Sequence, residues 1–247
     1  MDPFNICIAG LTAQVRPMFL STREYCRKYL VDGVAESMVT ITPDDLLYEQ
    51  EMLDIEADEE GLKRRKFADP FLERAAIQRK IADEVFMRNV LMVHGSTVSV
   101  DGEAYMFTAS CGTGKSTHTR LWCKVFGDRA MMVNDDKPFL QIAAEGVIAH
   151  GSPWSGKHGL DNNISVPLKG ICILHRGAAN VIRTLDAETA MEILLHQTHI
   201  PEGDNGSVAA LVTKLAHIVP LWEMECNMDP EAAKVAYGAM SAKGAFF

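Results

Sequence analysis

The chain has 247 residues, 47% of them hydrophobic and 23% charged, enough apolar material for one large α/β domain or a core with a smaller lobe. Its 24 basic and 33 acidic residues give a net charge of −9, which excludes overall attraction to nucleic acid or to an anionic membrane. Six scattered cysteines (7, 26, 111, 123, 172 and 226) form no C-x-x-C pair or Cys/His cluster at zinc spacing, so free thiols in a reducing compartment are expected.

The first residues, M-D-P-F-N-I-C-I-A-G-L, carry neither the basic start nor the long apolar run of a secretory signal. No stretch approaches the roughly 20 apolar residues that span a bilayer, so a cytoplasmic location is expected. Residues 4–9 read as a first strand, 19–31 as a helix and 38–41 as another strand. From Asp44 to Glu60 there are nine acidic residues and no basic one, followed by K-R-R-K at 63–66, which reads as a solvated face or loop. Asp69-Pro70 is a helix start, and Ile77, Ile81 and Val85 put one apolar stripe on a helix running to about residue 88.

Residues 90–93 are apolar and 97–100 alternate. Asp101-Gly102 is then a two-residue hairpin signal, with Glu103–Thr108 as the returning strand. Residues 117–126 have helical character, and 130–133 form a short apolar strand ending at Asn134-Asp135-Asp136. Further strands are expected at 139–142, 171–174 and 219–223, and helices at 187–196 and 230–240. There is no internal repeat or low-complexity linker. The division expected is an N-terminal α/β lobe over 1–89, packed on a phosphotransferase core over 90–247.

Between the strand at 103–108 and the helix after it lies S-C-G-T-G-K-S-T: Ser110, Cys111, Gly112, Thr113, Gly114, Lys115, Ser116 and Thr117. A polyphosphate needs several donors aimed at one point with no side chains in the way. Gly112 and Gly114 permit that approach, and successive N–H groups form an anion nest opening onto a helix N-terminus. Lys115 can reach the β/γ oxygens, and the Ser116 hydroxyl is placed to ligate Mg²⁺. This is the G-x-x-x-x-G-K-[ST] pattern of the Walker A motif, with Ala109 in the place of the first glycine. Cys111, within the loop at a helix N-terminus, is a candidate reactive thiol.

Phosphoryl transfer also needs carboxylates to hold Mg²⁺ and to accept a proton from a hydroxyl. Asp135 and Asp136, just beyond an apolar strand some twenty residues after the loop, are the candidates, one for the metal and one for the acceptor. G-S-P-W-S-G-K-H-G at 151–159 reads as a substrate or nucleotide flap. Lys157 would face phosphate charge, Trp154 would pack on a base or acceptor, and Ser155 is a further polar contact. Arg176, after the strand at 171–174, is a candidate second phosphate contact, and His94 lies at a strand end near the loop. The histidines at 196 and 199 have no acidic partner nearby to complete a metal site and read as structural.

The run over residues 94–119, H-G-S-T-V-S-V-D-G-E-A-Y-M-F-T-A-S-C-G-T-G-K-S-T-H-T, resembles the HPr kinase/phosphorylase and phosphoenolpyruvate carboxykinase superfamily. An H-G element, a strand pair, the glycine loop with G-K-[ST] and a later Asp-Asp pair occur in the same order. The resemblance spans about residues 90–180. It implies an α/β fold with a P-loop core and a mixed β-sheet, with an N-terminal α/β extension. By it, Lys115 would bind the phosphates, Ser116 with Asp135 the Mg²⁺, and Asp136 would assist the acceptor hydroxyl. Cys111 stands between Ser110 and Gly112, where the family pattern has no residue, and Thr117 stands where HPr kinases usually carry glutamate.

Motif and resemblance lead to one expectation: a Mg²⁺-dependent kinase that moves the γ-phosphoryl of ATP to a hydroxyl, on a peptide or protein serine or a small molecule. GTP or pyrophosphate are alternative donors, and the family leaves room for a homo-oligomer. Two other classes use the same residues. One is a nucleotide hydrolase or phosphoserine phosphorylase; the other is a nucleotide sensor without turnover.

Overall fold

The computed structural model describes residues 1–59 and 61–241, which form two compact units divided between Met87 and Arg88. Glu60, the last residue of the acidic run, lies outside the described residues.

In the first unit, β1 (Phe4–Ile8) and β2 (Leu11–Arg16) pair antiparallel. Ala9 and Gly10, both at positive φ, make the two-residue turn. Their alternating burial puts Phe4, Ile6, Ile8, Leu11, Ala13 and Val15 on one face. A parallel strand, β3 (Ser37–Thr40), completes the sheet. The helix expected over 19–31 is shorter: α1 (Leu20–Tyr25) gives way to a 3₁₀ turn at Arg27–Tyr29.

The acidic run is a helix, α2 (Pro43–Glu59), with only Leu46 and Glu49 buried, so it is the solvated face expected and not a loop. At its start the Asp45 carboxylate reaches back and accepts from the Thr42 N–H and hydroxyl, both at 2.9 Å. Asp44 and Asp45 also suit the positive end of the helix dipole. K-R-R-K is exposed, with Arg64 paired to Asp58.

Helix α3 (Asp69–Phe86) buries Ile77, Ile81 and Val85 as their spacing requires. Its one fully buried acid, Glu73, accepts from the N–H groups of Met18 and Phe19 and from the Thr22 hydroxyl, so it caps α1 across the unit. Arg79 to Glu49 (2.7 Å) and Lys80 to Asp45 (2.7 Å) tie α3 to α2.

The second unit is a mixed α/β assembly. Its strands are β4 (Val90–Met92), β5 (Ser96–Val100), β6 (Glu103–Thr108), β7 (Ala130–Asn134), β8 (Phe139–Ala143), β9 (Gly146–His150), β10 (Ser165–Arg176), β11 (Val181–Thr184) and β12 (Leu221–Cys226). Its helices are α4 (Lys115–Phe126), α5 (Ala187–His196), α6 (Ser207–Ile218) and α7 (Glu231–Met240). The sheet runs β4-β8-β9-β10-β6-β5-β7, with β12 also paired to β10 and β11 to β12.

Asp101 and Gly102, at φ 53° and 82°, make the β5–β6 turn with Val100 opposite Glu103. Because β5 is antiparallel to both β6 and β7, those two strands point the same way, and β10 and β12 run parallel to them. Four strands therefore end at one edge of the sheet, and β5 begins there.

Elements absent from the sequence expectations are β2, β9, β11 and α6. The strand expected at 171–174 is the centre of a 12-residue strand, and α4 begins two residues before the expected 117.

Trp122 on α4 is the hub of the core. Its ring centroid lies 5.0 Å from Tyr105, 5.2 Å from Phe107, 5.4 Å from Phe126 and 5.7 Å from Tyr237. Alanines 232, 233 and 236 on α7 let that helix approach α4 closely.

Trp122 donates its indole N–H to Nε2 of buried His118, 3.1 Å away, and burial holds His118 down at about 4. His150, buried between Ser165 and Gln141, is likewise lowered by burial to about 4. Both are neutral in the fold at pH 7, and the unfolded chain takes up protons first, near 6.5. The stability they contribute is therefore full above pH 6.5 and is lost as pH falls towards 4. Denaturant titrations should show roughly 2–3 kcal/mol lost per histidine between pH 7 and 4.5. His118→Gln, which keeps an acceptor for Trp122 but does not titrate, should flatten the slope; an unchanged slope would count against this account.

Candidate functional site

The strand directions bring most of the sequence candidates to one edge of the sheet. Strand β6 delivers the glycine loop to the common edge, β7 delivers Asp135-Asp136, β10 delivers Arg176, and β5 begins just after His94. A cleft of about 420 Å³ there is lined by Cys111, Gly112, Gly114, Lys115, Ser116 and Thr117 of the loop, by both aspartates, and by His94. Arg120, Gly156, Lys157 and His158 complete the wall.

Helix α4 starts without a cap. Gly114, at φ 123°, occupies the N-cap position with no side-chain hydrogen bond, and the first turn carries no acid. The first-turn N–H groups have no partner within the helix, so the positive end of its dipole faces the cleft uncompensated. An anion is the natural complement of such an end. Lys115 is 8% exposed, and its ammonium donates to the Ala109 carbonyl at 2.9 Å, which folds the lysine back along the loop. Burial pulls its pKa below the ordinary lysine value, against the raising influence of Cys111 and Asp136. An arriving phosphate would restore the stabilisation that burial removes.

Arg176 lies on the other side of the loop, donating to the carbonyls of Gly112 and Thr113 (3.4 Å for the latter). In a trans peptide the carbonyl and the next N–H point opposite ways, so the Gly114 N–H is turned away from Arg176. The Thr113 N–H is used within the loop, bonding to the Ser110 carbonyl at 3.3 Å.

The two aspartates are held differently. Asp135, 5% exposed, accepts from Ser96 Oγ at 2.7 Å, and Ser96 Oγ is also 2.7 Å from Thr119 Oγ1 on α4. This chain of three buried groups fixes Asp135 relative to the helix that follows the loop. Burial pushes the Asp136 carboxyl above its usual range, with Lys137 and Lys115 pulling the other way. His94 Nε2 is 3.4 Å from Asp136 Oδ1. Burial, then the charges of Lys137 and Lys115, lower His94 to about 3, so this contact joins a neutral ring to a carboxylate and is no ion pair at pH 7.

Asn134, fully buried, was not among the expected site residues, yet it organises the cleft. Its Nδ2 donates to the carbonyl and hydroxyl of Ser152 (2.8 and 2.9 Å) and to the Trp154 carbonyl (3.2 Å). Its Oδ1 accepts from the N–H groups of Asp136 (2.8 Å) and Lys137 (2.6 Å). One amide thus pins the 151–159 segment and the acidic pair together. Gly156 lies so close that an added Cβ would sit 3.3 Å from the Asp136 Cβ.

Within that segment Lys157 lines the cleft, but Trp154 does not. Its ring is 5% exposed and packs 6.2 Å from Phe139, so core packing occupies the face expected to meet a base. Ser155 is buried and donates to Asp161 at 2.9 Å. Ser110, Thr113 and Arg176 face a second cavity, behind the loop. A buried asparagine just before an acidic pair, and a serine two residues after His94, were the available signals for Asn134 and Ser96.

Mg²⁺ binding asks for oxygen donors with room for substrate phosphates beside them. Ser116 and Asp135 line the cleft together, and a metal carried partly by a bound phosphate would need few protein ligands. Among the described residues no three His, Cys, Asp or Glu side chains cluster as a metal cage, and no helix is long and apolar enough to cross a membrane. All six cysteines are free; Cys111 is exposed, and Cys26 and Cys172 are buried.

No family model and no curated protein matches the chain. Among solved structures it is similar to the HPr(Ser) kinase/phosphatase from Coxiella burnetii, at 12% identity and a TM-score of 0.37, over 60% of this chain and 95% of that one.

Because burial raises Asp136 in the fold, its charge costs stability at neutral pH, a cost absent below the unfolded value near 3.8. Asp136→Asn should therefore melt at an equal or higher temperature than the wild type at pH 7. A clear fall would mean that the carboxylate contributes to the fold, contrary to this reading.

Proposed function

We propose that the chain is a Mg²⁺-dependent phosphotransferase that moves the γ-phosphoryl group of ATP to a hydroxyl, on a peptide or protein serine or a small molecule. One observation carries this reading: the uncapped N-terminus of α4, Lys115 and the two carboxylates converge on one cleft. An uncapped helix end and a lysine suit a polyphosphate, whereas two carboxylates beside them would repel it unless they serve a metal or a proton transfer.

In this reading the loop N–H groups and Lys115 hold the phosphates and stabilise charge on the transferring group. Ser116 and Asp135 would hold Mg²⁺, which when bound neutralises phosphate charge. The acceptor hydroxyl sits against Asp136. As its oxygen forms the new bond to the γ-phosphorus, the bond to the β–γ bridging oxygen breaks, and the hydroxyl proton passes to Asp136. The raised Asp136 makes a better proton acceptor than a solvent-exposed aspartate. Neutral His94 orients the carboxylate without cancelling its charge. Ser96 and Asn134 keep the two acids apart in role, one fixed against α4 and the other held through its own backbone. GTP and pyrophosphate share the phosphate end of this chemistry.

The test is a thermal-shift titration with Mg²⁺ and ATP on the wild type and on Lys115→Ala. Ligand at 100 times Kd adds ~2.7 kcal/mol to stability. A magnesium-dependent rise in Tm that vanishes in the variant is the expected outcome; no rise with ATP, GTP or pyrophosphate would refute the assignment. Once an acceptor is in hand, Lys115→Ala should lower turnover by about two to three orders of magnitude. The wild-type rate should fall as pH drops through the Asp136 pKa. Phosphate release without any acceptor would instead favour a hydrolase.

A further inference from the structure

Ser96 and Thr119 are fully buried and do not line the cleft, yet both are tied to the Asp135 carboxylate. Ser96 Oγ donates to Asp135 Oδ1 at 2.7 Å and is also 2.7 Å from Thr119 Oγ1. A hydroxyl has one proton. That of Ser96 is spent on the carboxylate, so Thr119 is the donor in the second contact. The other contacts of the Thr119 hydroxyl, to the carbonyls of Ser116 and Lys115, are longer, at 3.3 and 3.4 Å. The result is a directed chain from Thr119 to Ser96 to Asp135. It uses Oδ1 and leaves Oδ2 free of hydrogen bonds among the described residues.

A β-bulge makes this chain possible. Pairing between β5 and β7 passes from Val98–Met132 to Thr97–Asn134, so β7 carries one residue, Val133, more than β5 does. Paired residues share a face, and Val98 and Met132 both pack in the core around Trp122, on the α4 side. In unbroken register Asn134 would follow Met132 onto that face, and Asp135 would turn away from α4. The extra residue reverses the alternation. Asn134 turns to residues 152 and 154, and Asp135 turns to Ser96.

Thr119 also connects the chain to Ser116, the second residue proposed for the metal. It stands three residues after Ser116 on α4, a spacing that makes the two neighbours on one side of the helix. The path from Ser116 to Asp135 therefore runs through helix, Thr119 and Ser96, all of them buried and hydrogen-bonded beneath the cleft.

Resting on the metal reading given above, we propose that Ser96 and Thr119 are positioning residues that set the affinity and the choice of metal, by fixing the free oxygen of Asp135 against Ser116. Mg²⁺ demands near-ideal octahedral geometry at about 2.0–2.1 Å, whereas Ca²⁺ accepts longer and more varied arrangements. Loosening the chain should therefore cost Mg²⁺ more than Ca²⁺. Hydrogen-bond partners of metal ligands are typically worth about ten- to a hundredfold in metal affinity.

The test is calorimetric titration with ATP, without metal, with Mg²⁺ and with Ca²⁺, on the wild type, Ser96→Ala, Thr119→Val and Thr119→Ser. Affinity for metal-free ATP reports the loop alone and should stay within about twofold in every variant, which also shows that each is folded. The gain in affinity on adding Mg²⁺ should shrink about tenfold in Ser96→Ala and in the nearly isosteric Thr119→Val, and clearly less with Ca²⁺. Thr119→Ser keeps the donor and should match the wild type. A Mg²⁺ gain that survives both Ser96→Ala and Thr119→Val, or a loss equal for the two metals, would overturn the proposal alone. So would a parallel loss of metal-free affinity, which would make the chain a support of the fold and no more. A wild type that binds ATP with no Mg²⁺ gain would overturn the metal reading, and one that binds no ATP the phosphate site, each taking this proposal with it.

Discussion

The second unit depends on one helix end left open. The first turn of an α-helix exposes N–H groups that a side chain or a ligand must satisfy, and α4 begins at a glycine with no side-chain cap and no acid within its own first turn. Such an end can be kept only if the helix is anchored elsewhere. Trp122 does that: fully buried among Tyr105, Phe107, Phe126 and Tyr237, it fixes α4 against the sheet and α7 by packing far from the loop. The β5–β6 hairpin supplies the other constraint. Its tight turn sets β6 in register with β5, and β5 in turn sets β7, so the acidic pair arrives at the edge where the loop begins.

The charges in the cleft follow from that placement. Burial shifts Lys115 down and Asp136 up, and each shift is opposed by the other group: the lysine pulls the aspartate down, and the aspartate pushes the lysine up. His94 has no such support, since its neighbours Lys137 and Lys115 act in the same direction as burial, and it stays neutral. The result is a basic group, an acidic group and a neutral hydrogen-bonding ring within one small space. A chain with a net charge of −9 offers polyphosphate no general attraction, so any anion bound here would have to be drawn by these local groups and by the helix end.

How much of this could be read from the residues depended on how local the signal was. Asp101-Gly102 dictates its own backbone, and so the hairpin and the strand running into the loop were expected where they occur. The helix at 187–196 was bounded by Asp186, whose side chain caps it. By contrast, Pro167 hid the first half of β10, because proline argues against a strand interior; here it pairs with Ile148 at the irregular start of the strand. Helix α6 has the spacing of an amphipathic helix, with Val208, Leu211, Val212 and Leu215 buried, and Asp204 caps it by accepting from the Ser207 and Val208 N–H groups, yet neither signal was used. Trp154 looked available because glycines surround it. Whether an aromatic faces a ligand or the core is decided by Phe139, which is distant in sequence.

Asn134 shows the same limit from the other side. Its residue type signals a turn, and the turn is there. The work its amide does depends on where residues 152 and 154 return in space, some twenty positions later. Four of its polar contacts are to backbone groups, so it constrains the path of the chain as well as particular side chains. This explains how a glycine-containing segment can approach Asp136 closely without a network of charged contacts to hold it. Order in the cleft wall comes from one buried amide whose hydrogen-bonding groups are used on both sides, and the charged groups are left unpaired enough to meet a ligand.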